Sequence, residues 1–307
     1  MKTSTASAAL DLYLANARAR VDTVLESWGW RADQLWSSAV PDVMRYSLLG
    51  AGKRLRPTLV FASYEASGGT SVGIAELAAA VEVVHAYSLV HDDLPCMDDD
   101  DLRRGRATAH RAFDVPSATR AGFQMVALAG RVLADGLDAL GLAPERRREI
   151  ALELFRAAGA GGMIGGQVLD LEAEGRRIPV PALEEVHARK TGALIAASCV
   201  IGGLAAGPRQ PSEHHLAALR EYGRLIGLAF QIADDVLDAT ATSDQLGKTA
   251  GKDAAHAKST FVSLLGVGAA RAEAERLAAR AVDRLREAGL VSPTLGELAH
   301  YIVTRPN

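Results

Sequence analysis

Two stretches of this chain are apolar around nearly their whole circumference, and that limits what it can fold into. Residues 74–93 are almost all apolar until they reach His91-Asp92-Asp93, and residues 193–207 carry no charge. A helix without a polar face must be surrounded by other elements, so both belong at the centre of a large bundle. The rest has helical spacing too. Residues 8–30 place Leu10, Leu14, Val21 and Leu25 among charges, and segments 121–140, 144–170, 182–206, 212–238, 257–288 and 294–304 repeat the pattern. Breaks are expected at Gly68-Gly69, Pro95, Gly105, 141–144, 175–181, 207–211 and 247–251. No alternating strand pattern, internal repeat or low-complexity linker interrupts them. Apolar residues make up 49% and aromatics 5%, which suits an Ala/Leu-rich helical core. The expected fold is all-α: one helical bundle spanning residues 1–307.

Net charge is -3 and the isoelectric point near 6.3, so no nucleic-acid partner is indicated. Cys96 and Cys199 have neither metal-type nor redox-type spacing and read as thiols of a reducing compartment. Asp11 and Arg18 interrupt the N-terminal apolar residues, and the run 193–207 is too short to span a bilayer. The expected location is cytoplasmic, without membrane insertion.

The chemistry is carried by two carboxylate clusters. Asp234 and Asp238 lie one helical turn apart in Phe230-Gln231-Ile232-Ala233-Asp234-Asp235-Val236-Leu237-Asp238 and share a face, with Asp235 beside them. Stacked carboxylates in an apolar helix repel and resist burial, and a divalent cation removes that cost. In the other cluster Asp92 and Asp93 end the apolar helix. Pro95 is expected to disrupt the helix and let the chain fold back, bringing Asp98 towards Asp92. Asp99, Asp100 and Asp101 read as a solvated acidic turn. Arg103-Arg104 follow at once, and acids beside arginines suit a metal together with a phosphate. All the ligands are oxygens, which points to a hard cation such as magnesium.

Other cations are local. Gly50-Ala51-Gly52-Lys53-Arg54-Leu55-Arg56-Pro57 is a basic turn without the glycine spacing of a Walker loop, yet Lys53 and Arg56 suit a diphosphate. Lys190-Thr191-Gly192 opens the apolar run at 193, and Lys248 and Lys258 follow the second cluster. His85, on the first apolar helix, reads from its own spacing as a core histidine.

Seven blocks, GAGKRLRP, HAYSLVHDDLPCMDDDDLRRG, GGQVLDLEAEG, KTGAL, FQIADDVLD, LGKTAGKD and KST, occur in this order. Together they resemble the trans-isoprenyl diphosphate synthases, most closely the bacterial farnesyl diphosphate synthases. The resemblance runs from about residue 45 to Arg305. It implies an all-α bundle with a deep central cavity, usually a homodimer. It further implies that three magnesium ions bridge Asp92, Asp93, Asp98 and Asp234, Asp235, Asp238 to an allylic diphosphate. Arg103, Lys190, Lys248 and Lys258 match that diphosphate's cations. Lys53, Arg56, His85 and Arg104 match an isopentenyl diphosphate site, which moves His85 from core residue to ligand. Thr191 adjoins the first set, and Gln167 and Gln231 match polar residues at the reaction centre.

Tyr87 and Ser88 stand five and four residues before Asp92, so Tyr87 lies about 7.5 Å back along the helix. A bulky Tyr87 would floor the tunnel into which the product grows, and a C15 product is expected. Geranyl and geranylgeranyl diphosphate are the alternatives. One departure stands out: where the family has a Gly-Asp pair, this chain reads Gly122-Phe123, with Arg120 at a usually apolar position. The reading is that one buried charge is lost and another gained. A non-catalytic regulatory homologue would have lost an aspartate cluster or the arginine pair, and a class I terpene cyclase needs no isopentenyl diphosphate site. This chain keeps all three.

Overall fold

The computed structural model describes residues 8–35, 40–207, 212–240 and 259–305. It is all-α apart from one short hairpin. Helices α1 (Ala8–Leu35), α2 (Val40–Leu48), α3 (Leu55–Ala66) and α4 (Ile74–Asp92) form the first half. The hairpin β1 (Leu102–Arg103) and β2 (Arg106–Ala107) and a short turn α5 (Ala109–Ala112) lead into α6 (Val115–Ala139) and α7 (Pro144–Ala158). Then come α8 (Met163–Glu172), α9 (Val180–His187), a wider π-helical turn (Ala188–Gly192) and α10 (Ala193–Ala205). Helices α11 (Glu213–Thr240), α12 (Phe261–Leu265), α13 (Val267–Glu287) and α14 (Pro293–Thr304) close the bundle.

Local chemistry sets the boundaries. Helix α6 begins six residues earlier than its apolar spacing suggests, because the Asp114 carboxylate accepts from the Ser117 amide at 2.7 Å and Pro116 suits the first turn. The expected helix 144–170 is two helices, interrupted at Gly159–Gly162. The expected helix 257–288 is broken by Gly266, whose φ of 83° lies in the left-handed region that glycine tolerates. Helix α3, which follows the basic turn, escaped the spacing argument. So did the hairpin, because two-residue strands carry no alternation.

The core has two parts. One packs α4 and α6 together with α1, α2, α7 and α10, and the other packs α11 and α13 with α14. Helices α3 and α10 contribute to both. They approach so closely that a Cβ on Gly202 would lie 2.3 Å from the Val60 carbonyl oxygen. In the second part Tyr222 is fully buried and its hydroxyl donates to the Leu295 carbonyl at 2.7 Å. Each part therefore contributes one long helix, α4 or α11, that ends in aspartates. Helix α4 is long and apolar enough to cross a membrane by composition, but it is mostly buried within the bundle.

Candidate active site

Helix α4 ends at Asp92, and the chain turns sharply after it. The Asp98 amide donates to the Asp92 carbonyl at 2.9 Å, and the Asp100 amide to the Asp93 carbonyl at 3.3 Å. This is the fold-back expected of Pro95. Asp92 is half-buried, and burial, with Asp98 and Asp93 adding, pushes its carboxyl up to about 6 against the pull of Lys190 and Arg103. Burial also raises Asp93, although the Arg103 Nε donates to it at 3.0 Å. In the acidic turn Asp99 and Asp101 are exposed, as expected of a solvated turn, and Asp100 is half-buried. Asp100 accepts from Arg103 at 3.1 Å and Asp101 from Arg111 at 2.5 Å. Asp100, three residues before Arg103, thus helps hold the guanidinium against Asp93.

Lys190 lies in the π-helical turn. It pairs with Asp170 at 2.6 Å and adds positive potential at Asp92. A Cβ on Gly166 would lie 2.1 Å from the Lys190 amide nitrogen, so only glycine lets α8 approach this turn. Gln167 is buried with no hydrogen-bond partner for either amide atom among the described residues, and Thr191 is buried beside Lys190. His187, one turn earlier, stacks on Phe261 at 5.7 Å, and neither ring nitrogen has a partner among the described residues; burial holds it down to about 4.

On α11, Gln231, Asp234 and Asp238 are half-buried and Asp235 is buried. Asp235 accepts from the Phe261 amide at 2.7 Å, fixing the start of α12. Arg305, from the end of α14, donates to Asp234 at 2.5 Å and lies 4.1 Å over the Phe230 ring.

The basic turn lies against both clusters. Half-buried Arg56 sits in the field of Glu82, Arg104 and Asp234, and burial pulls it down to about 10. Lys53, at the exposed edge, is near Arg305, Asp234 and Arg104. Arg104 donates to the Ala51 carbonyl at 2.7 Å. Burial first, then Arg56, Arg104, Arg103 and Arg54, holds His85 well below its ordinary value, so it is a neutral imidazole among four guanidiniums. A cleft lined by His85, Asp93, Arg103, Arg104 and Thr108 opens behind it. Lys248 and Lys258 lie outside the described residues.

Tyr87 and Ser88 are buried. The Tyr87 ring meets His91 edge-on at 5.9 Å, and His91 meets Phe123 at 5.1 Å. Arg120 and Phe123 are both exposed, so no buried charge was exchanged at this position; α6 turns both side chains outward.

The donor set, carboxylate oxygens alone, suits a hard cation such as magnesium. Among the described residues no three metal-type ligands already converge on one point. Magnesium needs only one or two carboxylates, its remaining places going to water and substrate phosphates. Sequence reasoning missed Arg54, Glu82, Asp170 and Arg305, whose partners are remote along the chain.

Comparison with known proteins agrees with this arrangement. The model of the polyprenyl synthetase family matches residues 37–291. The farnesyl diphosphate synthase of Escherichia coli (strain K12) is 44% identical over 272 residues, covering 88% of this chain and 90% of that one. Geranylgeranyl pyrophosphate synthase 12 of Arabidopsis thaliana, a chloroplastic protein, is 42% identical over 277 residues, covering 88% and 75%. Among solved structures, a Helicobacter pylori geranyltransferase complexed with magnesium and isoprenyl diphosphate aligns with TM-score 0.81 and 30% identity, over 97% of each chain. An all-α bundle, two aspartate clusters flanked by cations, and these relatives agree: the chain belongs to the polyprenyl synthetase family and is a prenyltransferase.

Proposed function

We propose that the chain, as one domain over residues 1–307, condenses isopentenyl diphosphate with dimethylallyl or geranyl diphosphate and releases mainly farnesyl diphosphate. The observation that carries this reading is the division of the anion-binding side chains, all cations but neutral His85. Arg103 and Lys190 face the Asp92 cluster, whereas Lys53, Arg56, His85 and Arg104 gather at the basic turn. Two anion sites side by side suit a reaction between two diphosphates. They do not suit a cyclisation, which has one.

Asp92, Asp93, Asp98, Asp234, Asp235 and Asp238 would hold magnesium, three ions in this reading. Magnesium supplies the positive charge that lets the allylic diphosphate depart. Arg103 and Lys190 bind the departing diphosphate in the same place, with Lys248 and Lys258 assigned to it by resemblance. Stabilising the charge that develops there lowers the barrier to breaking the allylic C–O bond. Lys53, Arg56, His85 and Arg104 hold the isopentenyl diphosphate so that its double bond lies beside the allylic carbon. Neutral His85 donates or accepts one hydrogen bond without adding charge. Gln167 and Gln231 line the reacting centre, and Thr191 flanks Lys190. A new C–C bond forms, a proton leaves, and the departed diphosphate accepts it. The free thiols Cys96 and Cys199 fit a cytoplasmic location.

The test is incubation with magnesium, dimethylallyl diphosphate and isopentenyl diphosphate, followed by chromatography of the products. Consumption of both substrates and a C15 product is expected, and chelation should abolish it. Failure to consume isopentenyl diphosphate removes the reading. A C20 product would place the chain beside its geranylgeranyl-forming relatives.

The reading includes a homodimer. Phe123 (67% exposed) and Val126 on α6, Leu152 and Phe155 on α7, and Ile164 and Val168 on α8 are all exposed apolar side chains. Such an outward apolar surface is what an interface core requires. Phe155→Asp, on the same surface, is expected to weaken association at least tenfold in sedimentation equilibrium. An unchanged dimer would place the interface elsewhere.

A further inference from the structure

Arg54 lies between two proposed substrate ligands, Lys53 and Arg56, but turns away from them. Arg54 is 4% exposed. Its Nε donates to Asp22 on α1 at 2.9 Å and Nη1 to Glu82 on α4 at 2.8 Å. Nη2 donates to the carbonyls of Leu48 at 2.8 Å and Gly50 at 3.2 Å. One side chain thus ties together α1, the end of α2, the basic turn and α4. Its backbone has φ 48°, a left-handed conformation that costs a non-glycine residue energy and persists only where surrounding contacts enforce it. Arg104, across the turn, has φ 56° and is tied to Ala51.

Glu82 is 2% exposed and sits one helical turn before His85. Burying a carboxylate there is costly unless it is paired, and Arg54 provides the pairing. The second oxygen of Glu82 is buried with no hydrogen-bond partner among the described residues. Glu82 is also the foremost stabilising charge on Arg56 and on Arg104. It therefore stands behind three arginines, only one of which it bonds.

We propose that Glu82 and Arg54 are positioning residues for the isopentenyl diphosphate site: the pair fixes the basic turn against the His85 turn of α4, so that Lys53, Arg56 and Arg104 converge on one anion. This rests on the function proposed above. Neither residue touches substrate. The allylic site is built from the Asp92 turn and the π-helical turn, so the pair should act on one substrate and not the other.

The test is steady-state kinetics of the full chain with each substrate varied in turn, and thermal melting alongside. Glu82→Gln preserves shape but removes the charge. It is expected to raise KM for isopentenyl diphosphate about tenfold, as a misplacement of under 1 Å would. KM for the allylic diphosphate should stay within about twofold. Glu82→Asp, which keeps the charge, should recover most of the loss. Arg54→Lys should mimic Glu82→Gln, and the double variant should be little worse than either. If Glu82→Gln does not fold, Asp22→Asn at the outer arm of the network replaces it, with about a threefold rise in the same KM expected. The proposal is overturned if both KM values rise together, or if melting falls while KM for isopentenyl diphosphate is unchanged. A wild-type protein that consumes no isopentenyl diphosphate removes the underlying function, and the role of the pair with it.

Discussion

Replacing Asp92 with asparagine is expected to lower turnover by about three orders of magnitude at saturating magnesium, and Asp234→Asn by a similar factor. An amide oxygen keeps the shape but loses the charge that a hard cation requires. Removing one stabilising contact to developing charge costs about 10²–10³ in rate, and here the metal and every contact made through it are affected. Retention of more than a tenth of the activity by either variant would sink the metal assignment. The Asp92 carboxyl, lifted to about 6, adds a pH signature. A carboxylate must lose its proton to bind a metal. The magnesium needed for half-maximal rate should therefore rise about tenfold per pH unit below 6. Stability of the metal-free protein runs the other way. The folded carboxyl holds its proton more tightly than the unfolded one at about 3.9, so this group destabilises the fold above pH 6. The penalty is up to about 3 kcal/mol and disappears as pH falls towards 4. Without metal, Asp92→Asn should melt higher than wild type at pH 7 and no higher near pH 4. A constant gap would contradict the raised carboxyl.

Tyr87→Ala is expected to make products longer than C15 the majority. Tyr87 is buried one and a half turns behind Asp92, and His91 and then Phe123 support its ring edge-on. The product is proposed to grow towards Tyr87, so truncating the ring leaves space that a longer chain can fill. Each further addition of isopentenyl diphosphate extends the product by five carbons down that space. The substitution should cost stability as well, about 3–5 kcal/mol for an aromatic-to-alanine change in a core, so products are to be compared at equal amounts of folded protein. Chromatography of the dephosphorylated alcohols measures the outcome. An unchanged distribution would mean that the floor lies elsewhere.

The parts legible in the sequence were those where chemistry and spacing coincide. Asp234 and Asp238 share a helix face because they are four residues apart, and the proline at 95 announced the turn that brings Asp98 back to Asp92. The apolar helices 74–92 and 193–205 were legible because nothing but a bundle interior accommodates them. Other features escaped for a common physical reason. Arg54 meets Glu82 across 28 residues, Lys190 meets Asp170 across 20, and Arg305 meets Asp234 across 71. No local period encodes such pairs. Exposure escaped too: Phe123 was read as a buried change because helical spacing does not say which face of α6 is covered. The break at Gly266 was hidden because apolar spacing continues through it, while the backbone does not.

The π-helical turn at Ala188–Gly192 makes part of this site a matter of counting. A regular α-helix rotates by about 100° per residue. A wider turn holds an extra residue, and everything beyond it is re-phased. Such insertions occur often at functional sites. Here the extra residue lets α9 present Leu183 and Val186 to the bundle while Lys190 reaches Asp170 and the following helix keeps its wholly apolar circumference. Two homologous chains could carry the same lysine, threonine and glycine yet aim them differently if one lacked that single residue. Descent by insertion or deletion here would alter the site without touching any side chain that acts in it.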